Sequence, residues 1–522
     1  MKSSTLLLLL NIGAVSAMAQ VPDWSTGIAP IIYNRCSNCH HSGGIAPFTL
    51  MSYTDAVTNA VSIGIDVTTN KMPPWPPDPN YSHMAHERVL SSTEKSKILA
   101  WVNGGTPSGN LSLAPPPPVF STAGDIPGTA DLTVKIPTYT SPAATSDMYR
   151  CFVLPTNQTA DQYITAFEAI PGNRGIVHHV LVYADTTGQS TALDAADPGP
   201  GYTSFGGIGT NNAILLGGWV PGSSPLQYPA GFGTKLPKNA KLVIQIHYPT
   251  GTAGMKDSTQ VRFFFSKSAV RDVFIIPVLN HSTNITPALV IPANTVKSFV
   301  EQQFVPLDIS VLGVAPHMHL LGQNIRAFGV TPSGDTQKFI NVPKWDFHWQ
   351  GFYLFDKIKK FSTGTTAYAL ATYDNTTNNP DNPSSPPKMV TLGESTTDEM
   401  MLVYFVFSYY QPGDENIVID PGNPAGVNTN TPLYRPVELF QAYPIPAQQE
   451  LIAKYYLDQS AIGSLVLLNM EGQLVKTELN NAPLSQGYST QTIDVNTLPS
   501  GTYILELRTG TSRLRQECVI VH

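Results

Sequence analysis

The chain is short of charge and of cysteine, and each shortage narrows what it can be. Asp, Glu, Lys and Arg make up 13% of its 522 residues, about half the usual share. The 30 Lys and Arg gather in no basic tract and the net charge is -7. A nucleic-acid partner, which demands a row of cations facing phosphate, is therefore not expected. Four cysteines are too few for a disulfide framework in a chain this long. Cys151 and Cys518 are left as two unpaired thiols, or as one pair if the last domain folds back on the body. Beyond the N-terminus no apolar run approaches the roughly 18 to 20 residues that cross a bilayer, so no transmembrane anchor is expected. Long helical runs are missing as well, while Gly 40 and Pro 45 are plentiful, which favours an all-β body over a helical bundle.

What is present starts with a leader. Lys2, an apolar stretch through residues 6–15 and the small-residue site Ala17-Met18-Ala19 make residues 1–19 a signal peptide. The mature protein is expected to be exported, to the cell surface or medium or otherwise to the periplasm. The remaining length fits three or four domains. Residues 21–105 read as a small all-α domain. Its last helix opens on a capping box of Ser91 and Glu94, carries Ile98, Leu99, Trp101 and Val102, and stops at Gly104. Residues 106–128, with four prolines at 115–118, form a semi-extended linker. From 129 to 435, β-branched and aromatic runs alternate with Gly, Pro and Asn. These predict two all-β sandwiches in series, 129–268 and 269–435, with a seam near 268–290. Residues 437–522 read as a small C-terminal β-sandwich.

Cys36-Ser37-Asn38-Cys39-His40 carries the first chemistry. Two thiols spaced by two residues reach both vinyl groups of one haem, and the histidine that follows supplies the proximal nitrogen, so one covalent haem c is expected. Zinc is the competing reading, but a Cys-x-x-Cys zinc site normally needs a second ligand pair, and no other cysteine pair exists. Met72, held between prolines in the stretch 71–77, is the preferred distal ligand; Met84, His83, His86 and His41 stay open as alternatives. A cytochrome-like domain of this kind moves single electrons and implies a redox partner.

The histidines further on are clustered: His178-His179, His247 two residues after Gln245, and His317-Met318-His319. On a strand His317 and His319 share a face, as do Gln245 and His247, and two imidazoles on one face suit copper or zinc. His178 and His179 point to opposite faces of a regular strand, so they can share a metal only at a strand end or bulge. Asp398-Glu399-Met400 offers a soft thioether that favours Cu(I), with Met401 able to substitute. No thiolate stands near these histidines in sequence, which argues against blue copper and for type II copper.

The order His-His, Gln-x-His, His-x-His, Asp-Glu-Met resembles the copper type II, ascorbate-dependent monooxygenases, the family of the peptidylglycine α-hydroxylating and dopamine β-monooxygenases. The resemblance covers residues 129–435; the stretches 345–350 and 373–380 resemble the family's bacterial branch, in which an N-terminal cytochrome domain is a common fusion. It implies two jelly-roll-like sandwiches with one copper each across a solvent-filled cleft. His178, His179 and His247 would hold the electron-storing ion, and His317, His319 and Met400 the oxygen-activating one. Tyr404 would line the site, with Gln245 and Glu399 behind the ligands. The implied activity is hydroxylation of a substrate C–H with O2, reduced by ascorbate or by electrons from the haem.

Where the peptide-hydroxylating members have an arginine two residues before His-x-His, this chain has Ala315. The anchor for a peptide carboxylate is missing, so a small molecule or a peptide of another kind is expected. The C-terminal domain resembles the type A sorting domain of the type IX secretion system through Ala442-Tyr443-Pro444-Ile445-Pro446 and the stretch 498–503. Ile445 replaces the usual asparagine. That resemblance implies the type IX machinery as a partner. Two rivals remain at this stage: a non-catalytic extracellular electron-transfer or copper-binding protein, and a zinc hydrolase built on the same histidines, against which Met400 speaks.

Overall fold

The computed structural model describes residues 21–120, 124–420 and 437–522, less 145–146, 205–206, 211, 348, 440–441, 443, 445, 458–459, 471 and 511–512. The signal peptide read over 1–19 lies outside the described residues. They form two compact units, Met1–Pro74 with Arg88–Thr122, and Trp75–Glu87 with Ala123–His522.

The first unit is helical. Helices Ala29–Arg35, Tyr53–Thr58, Ala60–Thr68 and Ser92–Asn103 close on Trp24, Ile28, Ile32, Ile63, Ile98 and Trp101. The last helix starts where its sequence says: Ser91 Oγ accepts the Glu94 N–H at 3.1 Å and the Glu94 carboxylate accepts the Ser91 N–H at 2.8 Å. Both donors would otherwise be orphaned by the first helical turn.

Residues 75–87, read from sequence as part of that helical domain, belong to the second unit. Met84 is fully buried in the core of the second sandwich and bridges Phe355, while the Ala85 N–H donates to Leu354 O at 2.8 Å. An apolar pair at Trp75 and Met84 finds more area to bury there than a short loop provides.

The first sandwich packs two sheets. One has Lys241–Tyr248 between Met148–Pro155 and His179–Asp185; the other has Gln162–Ile170 between Gln260–Phe265 and Phe232–Leu236. The second sandwich repeats the plan, with Leu402–Tyr409 between Phe274–Asn280 and Ile309–His317, and Thr366–Asn375 between Thr295–Phe304 and Gly322–Val330. The seam is sharp: Arg271–Asp272 pairs with Phe232 and Gly233 of the first sandwich, and Phe274 already pairs with Phe407 of the second. A smaller pair of sheets follows from Val437 to Ile520.

The sandwiches share a core. Ile275, Leu312, Leu354, Ile358 and Val406 of the second cluster with Phe167 and Ile244 of the first, while Met401, Val403 and Phe405 face the second sandwich's own interior. The strand Leu402–Tyr409 is thus covered on both faces, which is why it reads as one apolar run rather than an alternation. Cys151 and Cys518 are free thiols buried in separate clusters, so the pair considered from sequence does not form.

Candidate metal centre

His247 is the next-to-last residue of its strand, with Tyr149 opposite it on one side and His179 on the other. His178 stands just before the strand His179–Asp185 begins, its N–H donating to His247 O at 2.9 Å. It thereby escapes the alternation that would send it to the opposite face. One ligand atom of each of the three histidines lies within 4.8 Å of the others, and the Nδ1 atoms of His178 and His179 are 3.2 Å apart. His247 directs Nε2 at Asp147 Oδ2, 2.9 Å away, leaving a buried Nδ1 with no hydrogen-bond partner among the described residues. Burial, then the neighbouring histidines, hold His179 far below the usual imidazole range. Three imidazoles converging with an unsatisfied ring nitrogen fit one soft or borderline cation.

His317 ends the strand Ile309–His317 and His319 lies in the turn after it, ring centroids 5.1 Å apart at 87°. Each Nδ1 meets an oxygen: Gln350 Oε1 at 2.5 Å for His317 and Asp398 O at 3.0 Å for His319. Both rings are therefore set with Nδ1–H outward and the Nε2 lone pair available to a metal. Burial lowers the pKa values to about 3 and about 4 respectively.

His317 pairs with Leu402 and Ala315 with Tyr404, so Leu402 and Tyr404 share the His317 face; Met400 precedes this strand and is buried. Met401 points into the core instead, its N–H and C=O both 3.0 Å from His281 Nδ1. Glu399 ties the turn to the methionine, accepting the N–H groups of His319 (3.0 Å), Leu321 (2.6 Å) and Met400 (3.2 Å). Burial nevertheless raises its pKa to about 8. Tyr373 donates to Met400 O at 2.7 Å.

Tyr404 packs against the shared core, its hydroxyl pushed up to about 12 by burial and the nearby Glu394. Gln245 gives its amide N–H groups to Ser204 O and Gly207 O, so its side chain is engaged with that loop. Asp147, Tyr149, Phe347 and Gln350 carried no assigned role in the sequence reading. Tyr149 stacks on His247 (4.3 Å, 10°) and its hydroxyl is 3.2 Å from Thr396 Oγ1, in the segment leading to Met400. Only the stretch 345–350, already singled out, signalled any of these.

In the helical unit, Cys39 and His40 both donate their N–H to Cys36 O, folding the motif into a tight turn in which neither cysteine is in a disulfide. His40 Nδ1 lies 3.0 Å from Phe48 O, which leaves Nε2 as the ring nitrogen that would be open to a metal, compatible with the haem expected at this motif. Met72 belongs to this unit and is half-buried. The alternatives fare worse. Met84, His83 and His86 lie in the other unit, Met84 in a core and the histidines beside Glu87 and Asp420. His41 stacks on Phe120 at 3.9 Å with its Nδ1 2.9 Å from Ser37 O.

Residues 132–253 match the copper type II ascorbate-dependent monooxygenase N-terminal domain, and residues 275–430 its C-terminal domain. The chain carries both domains of this family. All five clustered histidines and Met400 fall inside the matched monooxygenase segments, three histidines in the first and two with the methionine in the second. Residues 441–521 match the secretion system C-terminal sorting domain, which marks the protein for export to the cell surface or medium. No helix among the described residues is long and apolar enough to cross a membrane. No curated protein matches the chain. Solved structures resemble it only faintly. They include the Parabacteroides merdae beta-glucuronidase (12% identity over 43% of this chain and 28% of that one, TM-score 0.13) and the Faecalibacterium prausnitzii beta-glucuronidase (12%, 43% and 37%, 0.13). The adhesin domain of Epf from Streptococcus pyogenes gives 12%, 50% and 80%, and 0.14. The chain spans under a third of the first of these, and likenesses this slight carry no argument.

Proposed function

We propose that the protein is a secreted monooxygenase that hydroxylates a substrate C–H with O2, using two copper ions and electrons passed on by a haem domain. The observation that carries this reading is the convergence of His178, His179 and His247 in one cluster and of His317 and His319 in another. Copper bound there supplies the one-electron chemistry by which O2 is reduced and one oxygen atom is inserted. His178, His179 and His247 hold the electron-storing ion, with Asp147 orienting His247. His317, His319 and Met400 hold the oxygen-side ion, oriented by Gln350, the Asp398 carbonyl and Glu399; the thioether favours the reduced metal. Tyr404, on the same sheet face as His317, lines the substrate side. Cys36 and Cys39 would attach haem c, with His40 and Met72 as the residues that would hold its iron, and such a haem would supply one-electron chemistry in place of or beside ascorbate. Ala315 leaves no cation for a peptide carboxylate, so the substrate is a small molecule or a peptide not held by its terminus.

The test is metal and haem analysis of the purified protein together with oxygen uptake coupled to product. Two coppers, one haem and stoichiometric hydroxylation are expected. The same cofactors without coupled turnover on any substrate would favour a passive electron carrier, and zinc with oxygen-independent turnover a hydrolase.

A further inference from the structure

Phe347 lies far from the histidines of the first sandwich in sequence, yet its ring meets both sets. It stacks on His178 with centroids 5.6 Å apart at 21°, lies 6.5 Å from His247, and stands edge-on to His319 at 6.0 Å and 90°. Only 7% of it is exposed. The rings of His178 and His319 are thus separated by one phenyl ring.

The segment carrying Phe347 is pinned to the second sandwich. The Trp345 N–H donates to Gln323 O at 2.7 Å and its indole N–H to His319 O at 3.2 Å. Gln350 acts twice: its Oε1 meets His317 Nδ1, and its Nε2 donates to the Phe347 carbonyl at 2.8 Å. One side chain thereby fixes a metal-site histidine and the backbone of the intervening aromatic. Just beyond, Phe352 packs so closely over the first sandwich that a Cβ on Gly218 would fall 2.9 Å from its ring. Close-packed rings resist compression as much as separation.

We propose that Phe347 is a positioning residue, a spacer one ring thick that the second sandwich inserts between the two metal sites, fixing their separation and closing the space between them to an extended peptide. This rests on the assignment of one copper to each histidine set.

The experiment is pulsed EPR of the full-length protein loaded with two Cu(II), reading the distribution of copper–copper distances. The wild-type distribution is expected to be narrow. Phe347→Ala should at least double its width while keeping two coppers and the EPR parameters of each site, and Phe347→Tyr should restore the narrow form. If the alanine variant does not fold, Phe347→Leu, which keeps bulk but not the planar stack, takes its place with the same expectation. A variant distribution superimposable on wild type overturns the spacer while leaving the metal assignment intact. Fewer than two coppers in the wild type removes both.

Discussion

At the scale of single residues, the first metal site depends on a carboxylate that ligates nothing. Asp147 Oδ2 holds His247 Nε2 at 2.9 Å while Oδ1 accepts the Thr250 N–H at 3.1 Å, so the imidazole can present only Nδ1 to a metal. Asp147→Asn is expected to weaken copper at this site by about 10- to 100-fold, the usual cost of losing such a partner. The second site should be unaffected, as chelator competition would show. The adjacent methionines make a sharper pair. Met400→Ala should abolish hydroxylation, and because Met400 is also buried it should cost some stability as well. Met401→Ala should cost about 2–5 kcal/mol in denaturant unfolding, as buried methionines do when truncated, and leave the ligand set whole. Retention of full activity by the Met400 variant would sink the oxygen-side assignment.

At the scale of an element, the strand Thr295–Phe304 carries a charge where alternation calls for an apolar side chain. Glu301 shares the inward face with Phe299, is wholly buried, and has no hydrogen-bond partner among the described residues on either carboxylate oxygen. Burial raises its pKa from 4.5 to about 9. The folded chain keeps a proton that the unfolded chain has already lost, so stability falls as pH rises from the unfolded value near 4.5 toward 9. Glu301→Gln removes that slope. Its melting temperature should exceed that of the wild type at pH 8 and converge with it below pH 4.5; a constant difference across the range would contradict the assignment. Elsewhere, elements follow their patterns closely. The capping box starts its helix at Ser92, and the apolar run of 401–409 is a strand covered on both sides. His178 joins the histidine cluster because its strand begins one residue later.

At the scale of the whole molecule, the proposed copper ligands all lie in one compact unit and the Cys-x-x-Cys-His motif in the other. Replacing Cys36 and Cys39 together by serine is therefore expected to abolish covalent haem, read by its absorption and by mass, while copper stoichiometry stays at the wild-type value. Turnover should then survive with ascorbate and fail with a donor that reduces only haem. The division also accounts for the chief misplacement from sequence. Residues 75–87 sit between two helical stretches of the chain, but Trp75 and Met84 complete the core of the second sandwich, and nothing in local spacing reveals which core an apolar residue will join.

What the sequence determined by itself was whatever chemistry is written within a few residues. The Cys-x-x-Cys-His turn, the His-His and His-x-His pairs, the helix cap and the methionine after Asp398-Glu399 are short-range, and backbone geometry alone sets which of those neighbours share a face. The tertiary structure decided the partners that orient them. Asp147 meets His247 across a hundred residues, Gln350 reaches back to His317 across thirty-three, and Phe347 meets His178 from the other sandwich. Such contacts depend on strand register and on how two sheets bury a common face. These are set by the summed packing of many apolar side chains rather than by any local motif.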